Sequence, residues 1–314
     1  DSRLWVSFAN TLKLRMAIRM SGVEPEARRI AEEAVRDMAT YGLIDANAEN
    51  LSFSSDSRQN PFYTQATSTS WQDLRSNASI VMYMNAYEDP RRASYFSKSG
   101  YDGIYVGVRA GIQNVTPTDY ATYSYPLFAE KDPVPVMYAS ESWFLRAEGA
   151  LLGWTMGDTA ENLYNTGVKT SLELWGNGSS YETYIASETA PALSYADPRN
   201  KHNVSDFGTA VSVKWADDGN ELERIITQKW IANHMIGHEA WADVRRTGYP
   251  RLLQVVNNLS GGMWGNVDSS KGMRRLHYPQ SEYDNNRENV LGGIQLLGGP
   301  DEYSTDVWWA KKQN

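Results

Sequence analysis

Residues 221–250, ELERIITQKWIANHMIGHEAWADVRRTGYP, combine a wide apolar band, two histidines and a charged end. The apolar positions recur at the three- and four-residue spacing of an α-helix, and they are Leu222, Ile225, Ile226, Trp230, Ala232 and Met235. A helix that is apolar over so much of its circumference is usually buried between neighbouring elements. We therefore expect this segment to be a central helix of the fold, with Trp230 and Trp241 largely buried.

His234 and His238 are four residues apart, so a continuous helix would place both rings on one face. Such a pair suggests a zinc site, but the zinc-protease motifs place a glutamate between the two histidines, whereas here Glu239 follows the second one. Zinc sites in proteins also use three or four ligands rather than two. We predict that both histidines are packed or hydrogen-bonded and bind no metal, and we expect no other cofactor.

The composition of the 314-residue chain, with 41% hydrophobic and 22% charged residues, is typical of a folded protein. Its net charge of -8 argues against a nucleic-acid partner, which usually needs a basic surface. Because cysteine is absent, the chain has no disulfide and no thiolate metal site. No apolar run reaches the ~18 residues that a transmembrane helix needs. Since the chain starts at Asp1 rather than Met, we interpret its start as a processed or truncated end.

Two helical hairpins are predicted from the periodicity of the apolar residues. The first joins helices over residues 2–20 and 27–38, and the second joins helices over 140–154 and 160–175. Shifting the first hairpin by 133 residues matches small and apolar positions in the two returning helices. The unit is close to the ~34 residues of a tetratricopeptide repeat. We therefore predict an all-α fold built on tetratricopeptide-like helical hairpins.

Two long irregular insertions interrupt this scaffold, at about residues 45–138 and 177–220. The first contains a stretch rich in Gly, Tyr and Pro, and the whole chain holds 11 Trp and 19 Tyr against 7 Phe. Alternating Ile104, Val106 and Val108 are a strand candidate, so we expect at most a short β-hairpin. Long irregular segments inside a compact domain are usually functional or disordered, and the aromatic content favours a function.

Glu141 and Glu148 lie seven residues apart on the predicted helix 140–154, and Asp158 is in the turn that follows. Carboxylates at a defined separation hydrolyse glycosidic bonds, so an all-helical glycoside hydrolase is one hypothesis. The same positions suit surface charge on a helix, where Glu141 in the first turn favours the helix dipole. We predict no catalytic residue. A further hypothesis is a tetratricopeptide-type scaffold that binds protein partners.

Six segments follow one another along the chain in an order typical of a known family. They are FANTLKLRMAIRMS (8–21), DPR (89–91), ESWFLRAE with the later GD (141–148 and 157–158), ITQKWIANHMIGHEAWADVRRTGYP (226–250), RRLHYPQSEYDNNRENV (274–290) and Trp308-Trp309. In these segments the chain resembles the SusD/RagB family, the outer-membrane nutrient-binding lipoproteins of Bacteroidetes. The resemblance covers most of the chain.

The resemblance implies one SusD-like helical domain over residues 1–314, with the two insertions forming a glycan or peptide site. Members of the family bind nutrients without catalysis and form a lid over a SusC-like, TonB-dependent outer-membrane transporter. We therefore expect this chain to bind an oligo- or polysaccharide and deliver it to such a transporter, as a surface-exposed outer-membrane lipoprotein. The family's lipidated Cys and early repeat helices are not in this sequence. We expect contact with the membrane only through that anchor.

The ligand contacts of the family have no fixed motif, so candidate residues come from their chemistry. Sugar rings stack on Trp and Tyr, whose flat apolar faces carry a polar group at one end, and polar side chains bind the hydroxyls. The candidates in or beside the first insertion are Trp71, Tyr101, Tyr105, Arg109, Tyr120 and Tyr123. Because Tyr is also a common buried anchor, packing within the loops is the alternative role for each.

Overall fold

The computed structural model describes residues 2–54, 59–66 and 74–311, and the candidate Trp71 lies outside these residues. Within them the fold is mostly helical, which confirms the predicted class. The helices are α1 (Ser2–Arg19), α2 (Ala27–Arg36), α3 (Met38–Tyr41), α4 (Pro61–Ala66), α5 (Ala78–Ala86), α6 (Arg92–Tyr95), α7 (Ala139–Leu151), α8 (Ala160–Leu174), α9 (Tyr181–Ile185), α10 (Glu221–Ala232), α11 (Gly237–Thr247), α12 (Gln280–Asn285) and α13 (Arg287–Leu297).

Both predicted hairpins are present, as the pairs α1–α2 and α7–α8. Small residues lie where the helices of each pair meet. An added Cβ on Gly167 of α8 would stand 3.0 Å from the ring of Phe144 in α7, and α2 buries Ala27, Ala31 and Ala34. Because the distance between helix axes depends on the side chains at the contact, these positions allow a close approach.

The segment 221–250 forms two helices, α10 and α11, instead of the single helix that we predicted. Between them Met235 has a φ of 74°, which a residue with a side chain adopts only rarely and which no right-handed helix contains. Helix α10 buries Ile225, Ile226, Ile231 and Ala232, as predicted for a central helix, whereas Leu222 at its start is only partly buried. Trp230 and Trp241 are only partly buried, which is less than we expected.

A two-stranded antiparallel sheet closes the first insertion. Strand β1 (Leu51–Phe53) pairs with β2 (Val134–Met137), so the sheet joins the two ends of a long loop and is no hairpin. The predicted strand at Ile104–Val108 is wrong, because Val108 makes only a single bridge, to Asn77. Gly107 packs so tightly there that an added Cβ would stand 2.7 Å from the Asn77 backbone.

The second insertion contains an irregular hairpin, called here the 192–209 hairpin. Two isolated antiparallel bridges define it, Ala192 with Thr209 and Tyr195 with Val204. The Tyr195 hydroxyl donates to the Gly107 carbonyl at 2.8 Å. The two insertions are therefore packed against each other.

The C-terminal segment folds back onto α1 and α11. The guanidinium groups of Arg19 and Arg245 lie 5.5 and 4.8 Å from the centre of the Trp309 ring, so Trp309 packs on the body, whereas Trp308 is exposed. Among the described helices, none is both long enough and apolar enough to cross a membrane.

Candidate ligand-binding loops and the charged core

Three of the candidate tyrosines form one aromatic cluster in the first insertion. The rings of Tyr101 and Tyr123 meet edge to face at 5.5 Å, and those of Tyr120 and Tyr123 lie 4.8 Å apart. The Arg199 guanidinium covers the Tyr120 ring at 5.1 Å. Tyr120 and Tyr123 are buried, whereas Tyr101 is partly exposed. Tyr120 and Tyr123 therefore support the loop, and Tyr101 is the member of the cluster that is partly exposed.

Tyr123 also ties the first insertion to the tip of the 192–209 hairpin. Its hydroxyl donates to the Asp197 carboxylate, which accepts three further hydrogen bonds from the backbone N–H groups of Arg199, Lys201 and His202. Burial, followed by this hydrogen bond and the Asp197 charge, raises the pKa of Tyr123. The hydroxyl therefore stays protonated as a donor, and the contact holds the aromatic cluster in place.

Tyr105 and Arg109 lie farther along the same loop and are both partly exposed. The Arg92 guanidinium stands 5.6 Å from the Tyr105 ring. Arg109 donates to the carbonyls of His202 and Gln254, at 3.2 and 2.7 Å, and so spans two other loops. The structure thus brings Tyr101, Tyr105 and Arg109 to the surface of one loop. Their role in binding a ligand stays a prediction.

A cleft of about 550 Å³ opens between the base of the 192–209 hairpin and the start of α10. Its lining includes Trp215, Lys214, Asp218, Asn220 and Glu223. The volume falls within the range of small-ligand sites. The sequence alone does not reveal this cleft, because its walls come from a loop and a helix that meet only in the folded chain. The one feature of the sequence that could have pointed to the cleft is Trp215, a single tryptophan in a polar stretch.

The two histidines are separated by the break between α10 and α11. His234 lies in the break, where its ring stacks on Tyr95 at 4.0 Å and meets Trp175 edge-on at 5.8 Å. His238 is exposed on α11. Within the described residues, no group of three or more His, Cys, Asp or Glu side chains is arranged to hold a metal ion. The expectation that His234 and His238 share one face of a continuous helix was therefore wrong.

Acid is expected to destabilise the protein through His234. Burial lowers the pKa of His234 to about 3, from an ordinary value of 6.5. Between these two values the unfolded chain binds a proton that the folded chain excludes, so stability falls as the pH drops below 6.5. We expect a contribution of up to about 1.4 kcal/mol per pH unit to the free energy of unfolding between pH 6 and 4. Urea unfolding of wild type and His234→Phe at several pH values measures it, because the variant keeps a ring but loses the proton site. Parallel pH profiles for the two proteins would contradict this expectation.

Glu141 belongs to a buried set of ion pairs, called here the charge cluster, that joins α1, α7, α10 and α11. Arg15 donates to both Glu141 carboxylate oxygens, at 2.8 and 2.6 Å. Lys229 lies 3.9 Å from Glu141 and 2.9 Å from Asp243. Since Glu141 is completely buried, this carboxylate has no surface with which to meet a substrate.

The second half of the charge cluster contains Glu148. Arg246 forms a two-pronged ion pair with Glu148 and donates to Asp243 at 3.1 Å. Burial alone would raise the pKa of Asp243, but Lys229 and Arg246 outweigh it and hold the pKa below its usual value. Asp158 is exposed and accepts from Asn162 at 2.9 Å near the start of α8. Glu141, Glu148 and Asp158 are therefore engaged in structural contacts.

A second buried pair explains the DPR motif at residues 89–91. Arg91 donates to both oxygens of Asp89, at 2.9 and 2.6 Å, and to Ser171 at 2.9 Å. Tyr184 completes the carboxylate shell with a 2.7 Å hydrogen bond to Asp89. Both Asp89 and Arg91 are almost fully buried. The motif thus links the first insertion to α8 and α9.

These features define a class of protein: a scaffold of helical hairpins whose buried acids are ion-paired and whose loops carry partly exposed aromatic residues. The chain belongs to the SusD/RagB family. The family model described as "SusD-like: Susd and RagB outer membrane lipoprotein" matches residues 1–310.

Solved structures of SusD homologues resemble this chain closely. One from Bacteroides thetaiotaomicron is 40% identical, with 99% of this chain and 66% of that chain covered and a TM-score of 0.89. One from Bacteroides uniformis is 42% identical, with 99% and 65% covered and a TM-score of 0.90. A chitin-binding homologue from Flavobacterium johnsoniae is 40% identical, with 99% and 64% covered and a TM-score of 0.90. The chain therefore spans just under two thirds of these relatives' length. No curated protein matches it.

Proposed function

We propose that this chain binds nutrient glycans without catalysis, on the loop surface that carries Tyr101, Tyr105 and Arg109. The observation that supports this most directly is that Tyr101 and Tyr105 are partly exposed and that Tyr101 packs edge to face on the buried Tyr123. Family membership and 40% identity to a chitin-binding homologue point to the same class of ligand. We take residues 1–314 as one SusD-like domain and Tyr120 and Tyr123 as residues that position its binding loop.

We infer the absence of catalysis from the burial and the ion pairs of the candidate acids. A glycoside hydrolase needs two carboxyl groups that flank the glycosidic bond. Glu141 and Glu148 are buried and paired with arginines. Asp158 is exposed, but neither of the two glutamates reaches the surface to act as its partner. A binding role needs no such pair, only ring faces and hydrogen-bonding groups.

Replacing Tyr105 with Ala is expected to weaken glycan binding about tenfold, which corresponds to about 1.4 kcal/mol. The reason is the loss of a flat ring face on which a sugar can stack. Calorimetric titration with oligosaccharides from a glycan panel measures the change in Kd.

Tyr41→Ala is the matched control, because Tyr41 is an exposed tyrosine on α3, outside both insertions. We expect its Kd to stay at the wild-type value. A Tyr105→Ala variant that binds as tightly as wild type, or a Tyr41→Ala variant that loses as much affinity, would place the site elsewhere.

We also propose that the complete protein is a surface-exposed lipoprotein that delivers the glycan to a SusC-like, TonB-dependent transporter. The description of the family as outer-membrane lipoproteins supports the location. Copurification of the full-length protein with a transporter barrel from detergent-solubilised outer membranes tests the partnership. Copurification without any saccharide binding would favour a protein-interaction scaffold instead.

A further inference from the structure

The cleft beside α10 contains one carboxylate without a partner. Lys214 pairs with Glu188 at 2.5 Å, and Asp218 pairs with the buried Arg224 at 3.0 Å. Glu223 lines the same cleft but makes no hydrogen bond or ion pair to any residue that the structure describes. Three acids and one lysine line the cleft, and because Lys214 and Arg224 pair with two of the acids, Glu223 is the lining charge that is left without an ion pair.

Glu223 lies in the first turn of α10 and is partly buried. Burial raises the pKa of Glu223, and the charges of Arg251 and Arg224 oppose this rise without cancelling it. A buried charge is costly unless it is paired. A positively charged group in the cleft would supply the missing partner.

Trp215 forms an apolar wall of the same cleft. Its ring centre lies 5.5 Å from that of Tyr164, and its Nε1 donates to Asp217 at 3.0 Å. These two contacts fix the orientation of the indole. Asn220 and Ser212 add polar groups to the lining. The cleft thus combines one rigid aromatic wall, hydrogen-bonding groups and an unpaired carboxylate.

We propose that this cleft is a second binding site, which takes a sugar residue that carries a protonated amino group. The ammonium group pairs with Glu223, and the sugar ring lies against Trp215. The charge of Glu223 disfavours uronic acids and sulfated sugars, because like charges repel. That the ligand is a sugar rests on the proposed function, whereas the preference for an amine follows from the charges of the cleft.

The test compares two tetrasaccharides with the same β-1,4-linked backbone, one of glucosamine and one of N-acetylglucosamine. Calorimetry at pH 6 and low salt gives the Kd of each. We expect wild type to bind the amine form at least about tenfold more tightly. Glu223→Gln should lose about tenfold for the amine form and leave the acetylated form unchanged. Glu221→Gln is the control, because it removes the same charge two residues away, outside the cleft lining, and should change neither Kd by more than about twofold.

Each other outcome is decisive. Equal affinity for the two tetrasaccharides, or a Glu223→Gln variant that keeps the preference, overturns the amine site. An equal loss in Glu221→Gln also overturns it, because the effect would then be general electrostatics. Binding of neutral glycans without any preference for the amine leaves the proposed function standing. Failure to bind any glycan in the panel removes both proposals.

Discussion

Replacing Arg91 with Met is expected to lower the free energy of unfolding by about 3–5 kcal/mol. The substitution leaves Asp89 buried without its cation. It also removes the Arg91 N–H groups that donate to Ser171 and Gln228. Whole domains have only about 5–15 kcal/mol of stability, so a loss of this size brings the protein close to unfolding. Denaturant unfolding followed by Trp fluorescence measures it.

Two further variants sharpen the Arg91 experiment. Arg91→Lys keeps the charge but loses the two-pronged geometry, so we expect an intermediate loss. Arg36→Met breaks the exposed pair between Arg36 and Asp37 and should cost at most about 0.5 kcal/mol. If Arg91→Met costs no more than Arg36→Met, the buried pair does not hold the insertion to α8.

Replacing Glu141 with Gln is also expected to cost about 3–5 kcal/mol, because Arg15 and Lys229 then share a buried site with one carboxylate fewer. Glu173→Gln on the exposed surface of α8 is the control, and we expect its effect to stay within about 0.5 kcal/mol. The measurement is again the free energy of unfolding in denaturant.

A double-mutant cycle separates the interaction energy of Arg15 with Glu141 from the contribution that each residue makes on its own to the free energy of unfolding. Once Arg15 is replaced by Met, the removal of the Glu141 charge should cost less than it does in wild type, because the two side chains are in direct contact. Strictly additive losses would contradict a coupled charge cluster. Folded Glu141→Gln protein should bind glycans with an unchanged Kd.

The sequence predicts the helices well because their apolar residues repeat at the helical period. Helices α2, α7 and α8 of the two hairpins follow this local pattern, whereas α1 exposes Trp5 and Met16 and buries several polar residues. The break at Met235 was missed, since the apolar pattern continues through it and a non-glycine residue there adopts a positive φ. Strand β1 is three residues long and pairs with a distant partner, so local alternation carries almost no signal for it.

The candidate site was harder to predict because burial depends on distant partners. Tyr105 and Tyr123 are the same residue type in the same loop, yet one is partly exposed and the other is buried. The difference comes from Asp197, on another insertion, which accepts the hydroxyl of Tyr123. Likewise, the pairing of Glu141 with Arg15 joins helices that are far apart in sequence. A pattern of acids on one helix cannot show this.

We propose that the chain binds glycans and does not cleave them. The most direct measurement titrates wild type and Tyr105→Ala with a panel of oligosaccharides and assays the same mixtures for released reducing ends. We expect saturable binding that weakens in Tyr105→Ala, with every oligosaccharide recovered intact. Reducing ends that appear with wild type and disappear with Glu141→Gln, or no binding to any glycan, would contradict it.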